Sequence, residues 1–247
     1  MKATAEDEEY WEASGLRSLF ENLPADPSAL RPDVNDLVRL HRLVRTRPCV
    51  TVLEFGIGCS TIVLAHALDQ NEQTHGEELR ERITRNSQLF QVFSVDANQR
   101  WIDHTAERIP APLAARVHLR HSAVSATTFG GRLCHTYDTL PNVVPDFIYL
   151  DGPDPADVTG AVNGLDFSAP ERTVMAADIL VMEPTLLPGT VVVVDGRENN
   201  VRFLTRNLQR PISLSVEGDA SIIEFVEPRL GHVDVIGVDV RGRPGQP

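Results

Sequence analysis

Short apolar runs alternate with amphipathic stretches along this chain, a pattern typical of buried parallel strands connected by helices. Five runs predict such strands, at 50–55, 90–95, 117–119, 147–150 and 191–194. Two later runs, 212–216 and 221–226, flank a glycine-containing turn and predict a hairpin. The pattern therefore predicts an α/β protein with about seven strands, most of them parallel, and an antiparallel hairpin strand near the carboxyl terminus.

The amino-terminal part of the chain is predicted to be helical. An acidic helix-like stretch at 8–20 precedes a proline-punctuated link that ends at Pro32, and apolar residues at helical spacing follow, as at Leu37 and Val44. The polar stretch 69–87 delays the second strand and is either an insertion or an elongated helix. We divide the chain into an N-terminal helical cap (1–48), an α/β domain (49–230) and a C-terminal strand with its tail (231–247).

Between the predicted strands of the second half, the sequence pattern predicts secondary structure less clearly. Residues 124–145 contain several glycines and prolines and read as loop-rich, with His135 and Tyr137 expected at the surface. An apolar helix is expected at 174–181 and another helix at 199–209.

A strand–loop–helix unit at the first apolar run carries the strongest signal for a ligand. Glu54 lies in the strand, Gly56 and Gly58 break it with a tight turn, and Ser60 stands where a helix N-cap belongs. Glycine lets backbone approach a ligand closely, and a helix start offers unpaired N–H groups. A dinucleotide fingerprint would have a third glycine where this chain has Thr61. The unit therefore predicts a ligand cradle that departs from the dinucleotide pattern.

Acidic residues follow three of the other predicted strands: Asp96, Asp151 and Asp195. Ligands of open α/β sheets bind beyond the carboxyl ends of the strands, so these carboxylates should face the same crevice as Gly56. Each also has a purely local alternative, since Asp96 could cap the helix after it and the other two could be turn residues.

The charge and cysteine content of the chain indicate which partners and which cellular compartment to expect. The chain has 247 residues and 35 acidic against 23 basic side chains, a net charge of −12, which disfavours nucleic acid as the main partner. Its three cysteines, Cys49, Cys59 and Cys134, lack CxxC spacing and suggest neither a disulfide framework nor a zinc site. The polar, acid-rich start differs from a secretory signal, and no apolar run reaches the length of a membrane span. We expect a soluble cytoplasmic protein.

The arrangement Glu54-x-Gly56-x-Gly58-x-Ser60 resembles the first motif of class I S-adenosylmethionine (SAM)-dependent methyltransferases. Further features follow in the order of that family: Asp96, Ser122-Ala123, Asp151-Gly152, and Leu187-Pro188-Gly189 before Asp195. They extend over residues 50–196, and their order and spacing together are fairly specific. The resemblance implies a Rossmann-like, doubly wound sheet.

The resemblance also implies roles for these residues. Glu54, Gly56, Gly58 and Ser60 would bind SAM, and Asp96 would accept hydrogen bonds from the ribose hydroxyls. Ser122 and Ala123 stand where the family often has Asp-Ala, so the contact with adenine would be weaker or absent. The implied reaction transfers a methyl group to a small-molecule acceptor, at a hydroxyl oxygen, with Asp151 as base or orienting group and Asp195 as a second catalytic candidate.

Metal-dependent, catechol-type members of the family place acids at the positions of Asp151 and Asp195, and two carboxylates could hold Mg²⁺. Those members continue the second acid with Asn or Asp, whereas this chain has Gly196, so the resemblance favours a site without magnesium. Two other functions stay open, an NAD(P)-dependent oxidoreductase and a non-catalytic SAM-binding scaffold. The expected partner is a small-molecule acceptor, with neither nucleic acid nor membrane, and a homodimer is the common default assembly.

Overall fold

A seven-stranded sheet forms the centre of the computed structural model, which describes residues 4–23, 33–83 and 86–228. The strands are β1 (Thr51–Phe55), β2 (Gln91–Asp96), β3 (Val117–His121), β4 (Val124–Phe129), β5 (Arg132–Tyr137), β6 (Phe147–Leu150), β7 (Val158–Thr159), β8 (Val191–Val194), β9 (Ile212–Glu217) and β10 (Ala220–Phe225). The main sheet has the order β3-β2-β1-β6-β8-β10-β9. Its neighbours pair in parallel except that β10 is antiparallel to both β8 and β9. The predicted fold class is therefore confirmed.

Helices cover both faces of this sheet. They are α1 (Ala5–Ala13), α2 (Leu16–Glu21), α3 (Val34–Thr46), α4 (Cys59–Arg82), α5 (Gln99–Arg108), α6 (Ala111–Ala114), α7 (Asp178–Met182) and α8 (Glu198–Asn207). Side chains of a strand alternate between the two faces, so the buried central strands supply two separate cores. Leu53, Ile148 and Val192 pack with α7 and α8 on one face, and Val52 and Phe147 pack with α3 and α4 on the other.

The structure resolves two predictions about the N-terminal half. Residues 69–82 of the polar stretch belong to an elongated helix, because α4 continues without a break to Arg82. The acidic helix-like stretch at 8–20 forms two helices instead of one. They are separated at Gly15, whose φ of +84° is a left-handed conformation that glycine adopts readily.

The loop-rich interpretation of 124–145 is wrong. Strands β4 and β5 form a hairpin around Gly130-Gly131, and β7 adds in parallel to β4, giving a second, three-stranded sheet. This sheet packs against the main core, so His135 and Tyr137 are buried rather than at the surface.

The predicted helix at 174–181 is also wrong in extent, since only Asp178–Met182 is helical. Residues before it run alongside β5, where Ala176 forms a bridge to His135. The Asp178 carboxylate is buried and accepts a hydrogen bond from the backbone N–H of Tyr137, which attaches the short helix to β5. The helix starts late because the backbone groups of Met175 and Ala177 hydrogen-bond to those of His135 and pair with β5 instead.

Several predictions lie outside the described residues, namely the proline-rich link at 24–32 and the C-terminal strand and tail at 231–247. The three domain boundaries stay predictions. Among the helices of the described residues, none combines the length and the apolar character needed to cross a membrane.

Candidate functional site

A crevice of about 390 Å³ opens beyond the carboxyl ends of the parallel strands β1, β2, β6 and β8. The loop after β1 forms its floor, α5 forms one wall with Trp101 and His104, and the turn after β6 forms another. The start of α3 closes the third side with Asp36 and Leu37. This is the position at which open α/β sheets bind their ligands.

Gly56 and Gly152 are required by a close approach between two loops of the protein. A Cβ on Gly56 would lie 2.8 Å from the backbone nitrogen of Gly152, and a Cβ on Gly152 would lie 2.7 Å from Gly56 Cα. Gly56 also has a φ of +100°. The backbone N–H of Gly152 donates to the carbonyl of Phe55, so the loops after β1 and β6 are fastened together at the base of the crevice.

Gly58 faces the crevice itself. A Cβ built on Gly58 meets no heavy atom of the described residues within 4 Å, and its φ of −176° is extended backbone that any residue adopts. Neither packing nor conformation explains a glycine here, whereas a ligand lying against the backbone would. Gly58 is also the N-cap of α4, so the prediction that Ser60 caps this helix is wrong.

Ser60 instead belongs to a buried cluster around Glu54. The Glu54 carboxylate accepts hydrogen bonds from the hydroxyls of Ser60 (2.5 Å), Thr61 (2.6 Å) and Ser94 (2.6 Å). The Thr61 hydroxyl oxygen in turn accepts from the Gly58 N–H. Burial raises the pKa of Glu54 to about 7, against the opposing effect of the three hydroxyl donors. The cluster holds the glycine loop in place from behind, and contact of Glu54 with a ligand stays a prediction.

Asp96 joins the second strand to the glycine loop. Its two carboxylate oxygens accept hydrogen bonds from the backbone N–H groups of Ile57 and Asn98, both at 2.8 Å. The helix after it, α5, is capped by the side chain of Asn98, so the alternative that Asp96 is the cap is wrong. Burial raises the pKa of Asp96, and the backbone donors oppose that rise. Asp96 lines the crevice and retains lone pairs that can accept from ligand hydroxyls.

Ser122 and Ala123 do not line the crevice themselves, but the backbone N–H of Ser122 donates to the carbonyl oxygen of Asp96, which does. The Ser122 hydroxyl oxygen accepts a hydrogen bond from the backbone N–H of Thr139 at 2.9 Å, which ties the end of β3 to the loop after β5. A cofactor role for these two residues stays a prediction.

Asp151 follows β6 and faces the crevice opposite Gly58, with 51% of its side chain exposed. The guanidinium of Arg197 donates to the carbonyl oxygens of Asp151 and Pro153 and lies 3.9 Å from the Asp151 carboxylate. The pKa of Asp151 is raised to about 6, first by desolvation, with the nearby Asp195 adding to the rise and Arg197 opposing it. The raised pKa moves Asp151 toward the neutral range in which a general base is effective, and its role as base stays a prediction.

Asp195 lies beside Asp151 at the end of β8. Its carboxylate accepts a hydrogen bond from the Tyr149 hydroxyl at 3.1 Å. Desolvation raises the pKa of Asp195 as well as that of Asp36, which is raised to about 6. The sequence pattern did not indicate Tyr149 or Asp36 as site residues. Tyr149 lines the crevice from a strand that the sequence pattern predicted only as part of the core. Asp36 lies in α3, more than 100 positions before Asp151 and Asp195 in the chain.

The carboxylates at the crevice group differently from the Asp151 and Asp195 pair that the resemblance offered for magnesium. Among the described residues, the carboxylate oxygens close enough to share an ion belong to Asp36, Asp195 and Asp219, and this group leaves out Asp151. Gly196 supplies no side-chain ligand after Asp195. Among the described residues, no third carboxylate, histidine or cysteine joins Asp151 and Asp195 in such a group, and the expectation of a site without magnesium stays a prediction.

In comparisons with known proteins, no family model and no curated protein matches this chain, whereas solved structures do. The O-methyltransferase TomG from Streptomyces achromogenes, involved in tomaymycin synthesis and crystallised with SAM, is 17% identical with a TM-score of 0.46, covering 92% of each chain. An O-methyltransferase from Bacillus cereus in complex with SAH is 16% identical with a TM-score of 0.44, covering 92% of this chain and 93% of that one. The SAH-bound methyltransferase PaMTH1 from Podospora anserina is 12% identical with a TM-score of 0.43, covering 92% and 90%. Likenesses at this level carry no argument about the ligand or the reaction of this chain.

Proposed function

We propose that this chain is a SAM-dependent methyltransferase that transfers a methyl group to a hydroxyl oxygen of a small-molecule acceptor. The observation that carries the proposal is the sheet order, in which the antiparallel β10 lies between the parallel strands β8 and β9. A dinucleotide-binding sheet of the usual order 3-2-1-4-5-6 has no such inserted strand. In the fold of the resembled methyltransferases, a hairpin after the α/β units is the expected ending, and its last strand enters the sheet antiparallel.

The residues at the crevice fit SAM. Gly58 leaves open space where any side chain would intrude, and Asp96 presents a carboxylate at the end of the second strand, where ribose hydroxyls would lie. The residues that line the crevice include seven aspartates and two arginines, and this excess of negative charge suits a sulfonium cation. Bound SAM would supply an activated methyl group, so that alignment and proton removal are what the protein must add.

Asp151 and Arg197 would serve the acceptor. In the proposed reaction the acceptor oxygen forms a bond to the methyl carbon while the bond from that carbon to sulfur breaks, and Asp151 takes the hydroxyl proton. S-adenosylhomocysteine and a methyl ether are the products. Arg197 keeps the Asp151–Pro153 turn in place through two carbonyl oxygens, which fixes the direction of the base. Asp195, hydrogen-bonded to Tyr149, forms the neighbouring part of the same wall.

A thermal-shift panel with SAM, S-adenosylhomocysteine and NAD tests the cofactor assignment. A ligand at about 100 times its dissociation constant adds about 2.7 kcal/mol to stability, which is visible as a rise in melting temperature. We expect a rise with the first two ligands and none with NAD. A rise with NAD alone would support the oxidoreductase alternative, against which Thr61 and the buried Glu54 already argue.

Release of S-adenosylhomocysteine, screened over hydroxylated small molecules, tests for catalysis. Once an acceptor is found, Asp151→Ala should abolish turnover while SAM still raises the melting temperature. Asp138→Ala, at an exposed position away from the crevice, is the matched control and should behave as wild type. Turnover retained in Asp151→Ala rejects the base, and SAM binding without any acceptor in the screen favours the scaffold alternative.

The wider setting follows from composition. The net charge of −12 supports a small-molecule acceptor rather than nucleic acid. The three cysteines form no disulfide among the described residues, which is compatible with a cytoplasmic location. A homodimer is the default assembly, which size-exclusion chromatography with light scattering would test.

A further inference from the structure

Three carboxylates from distant parts of the chain lie close together beside the acceptor wall, which is the side of the crevice formed by Asp151 and Asp195. Asp36 belongs to α3, Asp195 follows β8, and Asp219 lies in the turn between β9 and β10. One oxygen of each lies within 4.8 Å of the others. Three oxygens at this separation are the kind of ligand set that holds a divalent cation, and such a group of like charges needs a cation to be stable.

Arg39 already supplies that cation. Its guanidinium lies 3.0 Å from an Asp36 oxygen, 3.1 Å from an Asp219 oxygen and 3.9 Å from an Asp195 oxygen. Only 13% of the Arg39 side chain is exposed, so the charge is held among the three carboxylates rather than in solvent. One guanidinium therefore contacts all three members of the group.

Asp151, the other acid of the catechol-type pair, also has an arginine beside it. Asp151 has the guanidinium of Arg197 3.9 Å from its carboxylate, and that guanidinium is anchored by two carbonyl oxygens of the same turn. Each carboxylate that the resemblance would assign to Mg²⁺ thus has an arginine beside it. A divalent ion entering here would find each of these two carboxylates already beside a fixed positive charge, which weakens the attraction that the carboxylates alone would offer it.

We propose that Arg39 is the built-in cation of the acceptor wall, occupying the position where the Asp36, Asp195 and Asp219 group would otherwise hold a divalent metal ion. Arg39 is a positioning residue: it fixes the two carboxylates that line the crevice, Asp36 and Asp195, and excludes metal from them. That the fixed carboxylates serve methyl transfer rests on the proposed function, whereas the exclusion of metal does not.

Binding of Mn²⁺ to the SAM-free protein, followed by electron paramagnetic resonance of the free ion, tests the exclusion directly. Wild type should bind no Mn²⁺ at this group. Arg39→Met removes the charge while keeping an unbranched apolar stem, so it should expose the three carboxylates and bind one Mn²⁺ with a dissociation constant of about 10⁻⁴–10⁻³ M. Arg39→Lys retains a positive charge and should remain without bound Mn²⁺.

Matched variants make each result decisive. Arg42→Met, on the same helix but paired with Glu6 and Asp7, should bind no Mn²⁺, and adding Asp195→Asn to Arg39→Met should abolish the new binding. Circular dichroism checks folding, and Arg39→Gln replaces Arg39→Met if the latter does not fold. Wild type that binds Mn²⁺ and loses it with Asp195→Asn overturns the proposal. A folded Arg39→Met or Arg39→Gln without Mn²⁺ binding overturns it equally. Because no SAM or acceptor takes part, failure here is separate from failure of the proposed function.

Discussion

The two glycines of the first loop should respond oppositely to the addition of one methyl group. Gly56→Ala would place a Cβ 2.8 Å from the Gly152 nitrogen, on backbone that cannot give way without moving the loop after β6. It would also place alanine at a φ of +100°. Gly58→Ala would place the same Cβ in open space, at an extended φ that alanine tolerates.

The magnitudes follow from these geometries. Overpacking costs about 1–3 kcal/mol and a left-handed conformation about 1–2 kcal/mol for alanine, so Gly56→Ala should lose about 2–5 kcal/mol. At about 2–4 °C per kcal/mol for a chain of this size, the melting temperature should fall by roughly 5–20 °C. Gly58→Ala should lose only the modest N-cap preference for glycine over alanine, about 1 kcal/mol or less. Its methyl group would instead overlap the ligand and weaken SAM binding at least about tenfold, or 1.4 kcal/mol.

Differential scanning fluorimetry and isothermal titration with S-adenosylhomocysteine measure both quantities on the same preparations. The expected result is an unstable Gly56→Ala and a stable Gly58→Ala with poor ligand binding. The reasoning is refuted if Gly56→Ala melts like wild type, or if Gly58→Ala binds the ligand with unchanged affinity. Equal destabilisation in both variants would show that Gly58 has a structural role that the open space around it does not reveal.

Three further predictions concern buried or acidic groups. The pKa of Glu54 in the folded protein is raised to about 7 from 4.5, so the folded state holds a proton that the unfolded state has lost between these pH values. The wild type should therefore lose about 1–3 kcal/mol of stability relative to Glu54→Gln as the pH rises from about 4.5 to about 7. Urea unfolding at several pH values measures this, and the absence of such a slope would contradict the prediction. Asp146→Ala should cost about 2–4 kcal/mol in the same assay, because the backbone N–H groups of Val50 and Thr51 lose their buried acceptor; Asp146→Asn, which keeps one acceptor oxygen, should cost less. Turnover should survive a chelator. Activity that is lost to EDTA and restored by Mg²⁺ would contradict the proposal that Arg39 excludes metal ions from Asp36 and Asp195.

The sheet could be predicted from the sequence because its central strands are buried on both faces and read as continuous apolar runs. The four residues of β8 are all valine, and β6 is apolar except for the hydroxyl of its tyrosine. The hairpin of β4 and β5 was missed because its strands mix serine, threonine and histidine with apolar residues. The Gly130-Gly131 pair between two alternating stretches was nevertheless an available hairpin signal.

The candidate site was only partly predictable, for a physical reason. Gly56 was correctly placed at the crevice, but its glycine is explained by contact with Gly152, nearly 100 residues later, rather than by a ligand. Arg39 contacts Asp219 across 180 positions of sequence. Such contacts depend on how helices, strands and loops pack in three dimensions, and no local pattern in a single sequence predicts them. Asp96 was predicted at the right place because its role depends on the end of one strand.

A crystal structure of the protein with S-adenosylhomocysteine tests the central claim most directly. The account predicts the nucleoside across the ends of β1 and β2, with both ribose hydroxyls within hydrogen-bond distance of the Asp96 carboxylate and the ligand lying against the Gly58 backbone. A crevice without the nucleoside at saturating concentration, or a nucleoside bound elsewhere with Asp96 engaged only by Ile57 and Asn98, would contradict it.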